Sequence, residues 1–213
     1  RITNIKSKKN DFYFLKLHLI SLPLGASANS FDIEIRNLNK LTSPPTSNIS
    51  DENSGNDRKG PLDGIRVLDL SRIMAGPSCT QLLGDYGADI VKVERPGAGD
   101  DTRKWGPPYV PDSNGNETTE SAYYLSANRG KESVAVNFKD PRGREILLKL
   151  AGKADILIEN YKVGGLVKYG LDYDSVKVFN PAIVYCSISG FGQQGPYAKK
   201  PGYDFMIQAM SGL

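Results

Sequence analysis

Histidine is almost missing from this chain: a single residue, His18, in 213. It precedes the patterned part of the sequence, so no histidine general base can come from the core, and a Ser-His-Asp hydrolase is excluded there. Cysteine is nearly as scarce. Cys79 and Cys186 lie far apart in apolar surroundings, with no second Cys or His at ligand spacing. They read as buried free thiols, and no metal site is expected. A large excess of one charge is also lacking. The net charge of +3 neither supports nor opposes an anionic ligand, and it gives no reason to expect nucleic acid as a partner. No apolar run is long enough to span a membrane, so no membrane partner is expected.

What is present divides at about residue 60. Residues 1–59 are read as a basic, low-complexity segment and linker. Arg1, Lys6, Lys8, Lys9 and Lys16 face one acid, Asp11, in the first 31 residues, around an apolar run at Phe12–Leu24. Basic, acid-poor composition suits part of a transit peptide, which would make the protein mitochondrial; a linker without an address would leave it cytoplasmic. Thr42–Gly60 is rich in Ser, Asn, Asp, Gly and Pro and reads as a disordered linker. The chain begins with Arg and stops at Leu213 in an apolar run, so it is expected to be a piece of something longer.

From Pro61 the pattern is regular. Strands are predicted at Ile65–Leu70, Ile90–Glu94, Ser133–Phe138, Asp155–Glu159 and Ala182–Ile188. Helices are predicted at Pro77–Tyr86, with Gly87 as its stop, and at Ser121–Ser126, Pro141–Ala151, Val163–Tyr169, Tyr173–Asn180 and from Gly202 onward. Strands alternating with helices imply an α/β fold with a doubly wound, mostly parallel sheet. Residues 60–213 then form one domain.

Ligands of such sheets bind outside the carboxyl ends of the strands. Val91–Pro108, VKVERPGAGDDTRKWGPP, supplies such an end. Val91 and Val93 alternate with Lys92 and Glu94, Arg95 follows, and Pro96, Gly97 and Gly99 stop the strand. Arg95 beside a Gly-rich charged loop points to an anionic, phosphate-bearing ligand; a solvated charged turn is the alternative. Lys139 and Asn160 are expected at the ends of two further strands, with Lys168 one short helix later, so that they could converge with Arg95 on one rim. Ser71–Pro77, SRIMAGP, reads either as an ordinary strand–helix loop or as a helix start that offers N–H groups to an anion. Gly190–Gly195, GFGQQG, fits the G-x-G-x-x-G spacing of dinucleotide folds. Pro196 and Pro201 prevent the helix that must start at its third glycine, so a nicotinamide-dependent oxidoreductase rests on this spacing alone.

Taken together, PLDGIRVLDLSRIMAGP, LGDYGADIVKVERPGAGDDTRKWGPP, YYLSANRGKESVAVNFKDPRG, ADILIENY, SISGFGQQGPY and GYDFMIQAMSGL resemble the family III CoA-transferases, the CaiB/BaiF type. The likeness runs from about Pro61 to Leu213. The GAGDDTRKWGPP block is most similar to the mitochondrial members that move CoA from succinyl-CoA to glutarate or hydroxymethylglutarate. The resemblance implies a Rossmann-like fold and a CoA site at Ile73, Met74, Ala75, Arg95, Val136, Lys139, Asn160, Tyr161 and Lys168, the last standing where several relatives have Arg. It implies an acyl-CoA and a dicarboxylic acid as substrates, no cofactor beyond the CoA thioester itself, and an interlocked homodimer. The reactive group it implies is an Asp carboxylate beyond Leu213, with Tyr203 and Asp204 near the site but not at the nucleophile position. Racemases of the superfamily carry His where this chain has Tyr203, which cannot readily shuttle a proton near neutral pH. A racemase-type enzyme and a non-catalytic truncated product remain the rival readings.

Overall fold

The computed structural model describes residues 60–212 and the backbone of a short strand at 35–37. His18, the apolar run Phe12–Leu24 and all of the linker Thr42–Gly60 but its last residue lie outside the described residues. In chain order the strands are β1 (Ile35–Asn37), β2 (Arg66–Asp69), β3 (Asp89–Glu94), β4 (Tyr109–Pro111), β5 (Glu117–Ser121), β6 (Glu132–Ala135), β7 (Ile156–Glu159) and β8 (Val184–Ser187). The helices are α1 (Ala75–Asp85), α2 (Ala122–Asn128), α3 (Pro141–Ala151), α4 (Tyr173–Phe179) and α5 (Asp204–Ser211), with 3-10 turns at Asp101–Lys104 and Val167–Tyr169.

Six strands make the main sheet, in the order β1-β6-β3-β2-β7-β8. Five are parallel, and β1 adds an antiparallel edge against β6. β2 sits in the middle; the chain builds outward through β3 and β6 on one side, then returns to build β7 and β8 on the other. This is the doubly wound arrangement, and it leaves a crevice where the loops after β2 and β7 diverge.

The sheet's two faces differ. On one, Leu68, Leu70, Val93, Val134, Val136 and Leu157 pack with Leu147 and Ala151 of α3 and Val176 of α4. On the other, Val67, Ile90 and Ile158 pack with Cys79 and Leu83 of α1 and with Cys186. Both thiols are half-buried and free. In β3 the polar Lys92 and Glu94 alternate with Val91 and Val93, a pattern that ordinarily turns the polar side chains to solvent. Instead both are buried. The second face of the sheet is covered too, and near the strand ends its contents are ionic.

Local signals explain most boundaries. Pro141–Ala151 forms as predicted: Pro141 opens α3, and the Asp140 carboxylate accepts from the Arg142 N–H at 2.9 Å. Ser121 caps α2 through the Tyr123 and Tyr124 N–H groups. α1 begins at Ala75, two residues before the expected Pro77, which still falls in the first turn, where its missing N–H is unneeded. Tyr86 ends the helix and Gly87 follows at φ 101°. Val163–Tyr169, predicted as a helical segment, is helical only as the 3-10 turn Val167–Tyr169. The hairpin β4–β5 was not predicted. Its first strand lies in the stretch Pro96–Asn116 read as loop and its second just beyond, and it packs on the Asp101–Lys104 turn. The GFGQQG loop leads to no helix; the next one starts at Asp204. Its first glycine has another role. The Gly190 and Gly202 backbones pass so closely that a Cβ on either would lie 2.4 Å from the other's Cα.

Leu147 is fully buried at the centre of the α3 face. Leu147→Ala is expected to lower stability by about 2–5 kcal/mol, read by urea unfolding. A loss below about 1 kcal/mol would show that α3 does not carry this core.

Candidate active site

A cleft of about 830 Å³ opens at the carboxyl ends of β2, β3, β6 and β7. Ile73, Arg95, Val136, Lys139, Asn160, Tyr161, Lys168 and Tyr203 all line it. Met74 and Ala75 start α1 just outside the lining, and Asp204 begins α5 beside Tyr203. Thus eight of eleven sequence-derived positions meet in one cavity, although they come from four strand-end loops, a 3-10 turn and the start of α5.

Their individual roles differ from a simple ring of contacts. Lys139 does not end a strand: β6 stops at Ala135, and Lys139 lies exposed in the turn before α3. Val136 is 2% exposed; its side chain belongs to the core, and it forms the floor of the cleft. Asn160 follows β7 as expected, but its amide bridges the crevice. Its Oδ1 accepts from the Arg72 N–H at 2.9 Å and its Nδ2 donates to the Arg72 carbonyl at 2.7 Å. Asn160 therefore fixes the loop after β2. Lys168 lies over the Tyr169 ring at 4.9 Å.

Three contributors, Arg72, Phe138 and Tyr169, escaped the sequence reading. Arg72 sits at the mouth, over the Tyr161 ring at 5.9 Å. Phe138 meets Tyr161 and Tyr169 edge to face, with centroids 5.8 and 5.0 Å apart, and makes an aromatic wall. Arg72 lies within the Ser71–Pro77 loop after β2, and the strand-end rule alone would have included it.

Behind the rim the charges are internal. The loop after β3 was read as either an anion site or a solvated turn; two of its charges are instead buried braces. Asp100 Oδ2 meets Lys92 Nζ at 3.0 Å, both side chains almost wholly excluded from solvent. The Lys92 ammonium also donates to the Ser71 carbonyl at 3.0 Å. Asp100 accepts from the Thr102 N–H and hydroxyl and from the Ile73 N–H at 3.1 Å. Ile73 needs that support: it holds φ +69°, a left-handed backbone that a β-branched side chain disfavours. Burial would raise the Asp100 pKa, but Lys92 and the Thr102 hydrogen bonds outweigh it and hold the carboxyl below its usual range. Beside it, Glu94 accepts from Arg103 twice at 2.7 Å, from Tyr124 at 2.8 Å, from Ser133 at 2.6 Å and from the Asp100 N–H. Burial opposes its ionisation, yet Arg103 and these donors carry its pKa down to about 2. Behind Ser71, the buried Asp69 accepts from the Ser71 hydroxyl, Thr80 and Lys131. Burial pushes the Lys131 ammonium down to about 8 against the pull of Asp69.

The cationic, aromatic cleft lies at the switch point of a doubly wound sheet, the place where ligands of such sheets bind. Residues 62–213 match the model of CoA-transferase family III, and the chain belongs to that family. It is 54% identical over 156 residues to the succinate–glutarate CoA-transferase of Agrobacterium fabrum, a match covering 73% of this chain and 39% of that protein. It is 53% identical to the human succinyl-CoA:glutarate CoA-transferase, over 72% of this chain and 33% of that one. The acetyl-CoA:oxalate CoA-transferase of Acetobacter aceti is 46% identical, over 73% of this chain and 38% of its own. A solved CaiB/BaiF family protein from Brucella suis superposes with a TM-score of 0.68 at 53% identity, over 73% of this chain and 40% of that chain. The chain thus spans about two fifths or less of the relatives it matches. Among the described residues no helix is long and apolar enough to cross a membrane.

The Glu94 carboxyl titrates near 2 in the fold against 4.5 ordinarily. Its contribution is complete above pH 4.5 and is lost as the pH falls from there through 2. This amounts to roughly 3 kcal/mol. Thermal melts between pH 7 and 2.5 are expected to fall steeply in that window. Glu94→Gln should be less stable at pH 7 and show a shallower fall. Equal slopes would mean that other carboxylates control acid unfolding.

Proposed function

We propose that this chain is the CoA-binding part of an enzyme that transfers CoA from an acyl-CoA, succinyl-CoA above all, to glutarate or a related dicarboxylate. The observation that carries the reading is the cleft itself, in a chain of this family. Arg95, Lys139 and Lys168 offer charge to phosphates. The Phe138–Tyr161–Tyr169 wall offers apolar surface to an adenine or a pantetheine arm. Ile73 and the start of α1 at Met74 and Ala75 flank its path. CoA enters here as a thioester substrate, not as a resident cofactor. The acceptor assignment rests on relatives whose names specify glutarate.

In this reading a carboxylate attacks the thioester carbonyl and CoA thiolate leaves, giving an acyl-carboxyl anhydride. The thiolate attacks that anhydride to form an enzyme thioester and release the donor acid; the acceptor carboxylate attacks this thioester, expelling CoA thiolate and forming a second anhydride, and the thiolate attacks its acceptor carbonyl to give the new acyl-CoA and free the enzyme carboxylate. The attacking group belongs to an Asp beyond Leu213 in a longer form. Asp204 does not serve: it is exposed, accepts from Gln208 Nε2 at 2.8 Å and lies outside the cleft lining. The homodimer and mitochondrial location belong to the same reading and rest on the resemblance and the basic first 31 residues.

Calorimetric titration of CoA should show binding that Arg95→Ala and Lys139→Ala each weaken by roughly 1.5–3 kcal/mol. Unchanged affinity in both would remove CoA from this cleft. Residues 1–213 assayed with succinyl-CoA and glutarate should give no turnover, because holding a thioester does not supply an attacking carboxylate. A hydroxamate trapped by hydroxylamine and mapped to Asp204 or any other residue here would relocate the nucleophile.

A further inference from the structure

Arg72 and Arg95 converge at the cleft mouth on one carboxylate. Asp101 Oδ2 lies 2.7 Å from Arg72 Nη2, and Asp101 Oδ1 lies 3.3 Å from Arg95 Nη2. Each oxygen takes one guanidinium, the way a ligand's phosphate or carboxylate would bind between two arginines. We propose that Asp101 is an internal stand-in for the ligand anion, occupying the place between Arg72 and Arg95 until a phosphate-bearing ligand takes it. This deepens the proposed function and rests on that cleft being the CoA site.

The three acids of this segment have different anchors. Glu94 is tied to Arg103, Tyr124 and Ser133, and Asp100 to Lys92, Thr102 and Ile73; both are buried. Among the described residues, Asp101's side chain bonds only the two arginines. Arg72, Arg95 and Asp101 are 46, 64 and 39% exposed, so an anion can reach the pair without opening the core. A half-exposed ion pair contributes little to stability, so the carboxylate can swing to water at small cost. A multiply charged phosphate gains from both arginines at once, whereas a weak, singly charged anion gains too little to replace a tethered carboxylate. The tethered acid would therefore select for phosphate-rich ligands and keep the arginines paired when none is bound.

The test is calorimetric titration of tripolyphosphate and of CoA into the chain and its variants, each first confirmed folded by its thermal melt. Asp101→Asn is expected to bind both probes roughly two- to fivefold more tightly, with a steeper salt dependence. Asp101→Glu, which keeps a tethered anion, should stay close to the parent. In an Arg72→Ala/Arg95→Ala background, adding Asp101→Asn should bring no gain, because the effect acts through those arginines. Equal or weaker binding by Asp101→Asn would overturn the proposal, as would a gain that persists without the arginines or a failure of tripolyphosphate to bind at all. If tripolyphosphate binds and tightens while CoA does not bind, the anion site stands and the CoA reading falls.

Discussion

One buried ion pair, Lys92 with Asp100, links nearly everything at the working end of this sheet. Lys92 rises from β3, and its ammonium reaches both the loop after β2, through the Ser71 carbonyl, and the loop after β3, through Asp100. Asp100 in turn carries the N–H of Ile73 in its unfavourable backbone conformation. Two loops that share no sequence neighbourhood are thus held at a fixed separation. The Asn160 amide adds a third loop by bonding both backbone polar groups of Arg72. The cleft is the space these constraints leave.

Such a pair is weak evidence for stability, since desolvating two charges opposes much of their attraction. Its effect is geometric. An apolar replacement could fill the same volume, but it could not present an acceptor to Ile73 N–H and a donor to Ser71 carbonyl at once. The neighbouring Glu94–Arg103 pair works similarly, tying β3 to the turn that precedes the hairpin and to Tyr124 of α2, where the guanidinium stacks 3.8 Å from the ring centre. The other face of the sheet, packed with Leu, Val and Ala, needs only shape.

The alternation of strands and helices was readable because the parallel strands are short and rich in Val, Ile and Leu, most of them followed by Gly, Pro or Asn, and because α3 carries an unmistakable start in Asp140–Pro141. Most of the cleft was readable as well, through the rule that strand ends gather ligands and through the family blocks. The hairpin was not, since Glu117–Ser121 holds no large apolar residue to mark a strand. Nor was the burial of Lys92 and Glu94: a polar side chain alternating with valine normally signals solvent, and only the placement of α1, α2 and the Asp101–Lys104 turn over that face reverses it. The left-handed Ile73 could not be foreseen either, because its cause, Asp100, lies 27 residues away in sequence.

The close passage of Gly190 and Gly202 gives the segment between them an independence of its own. Where a chain nearly touches itself, the segment between becomes a detour: the path from β8 to α5 is set by the crossing, whatever the eleven residues from Phe191 to Pro201 do. Substitutions, or changes of length, within that detour can alter the loop while the helix that follows keeps its starting point. The crossing therefore separates the conformation of that loop from the position of the helix that follows it.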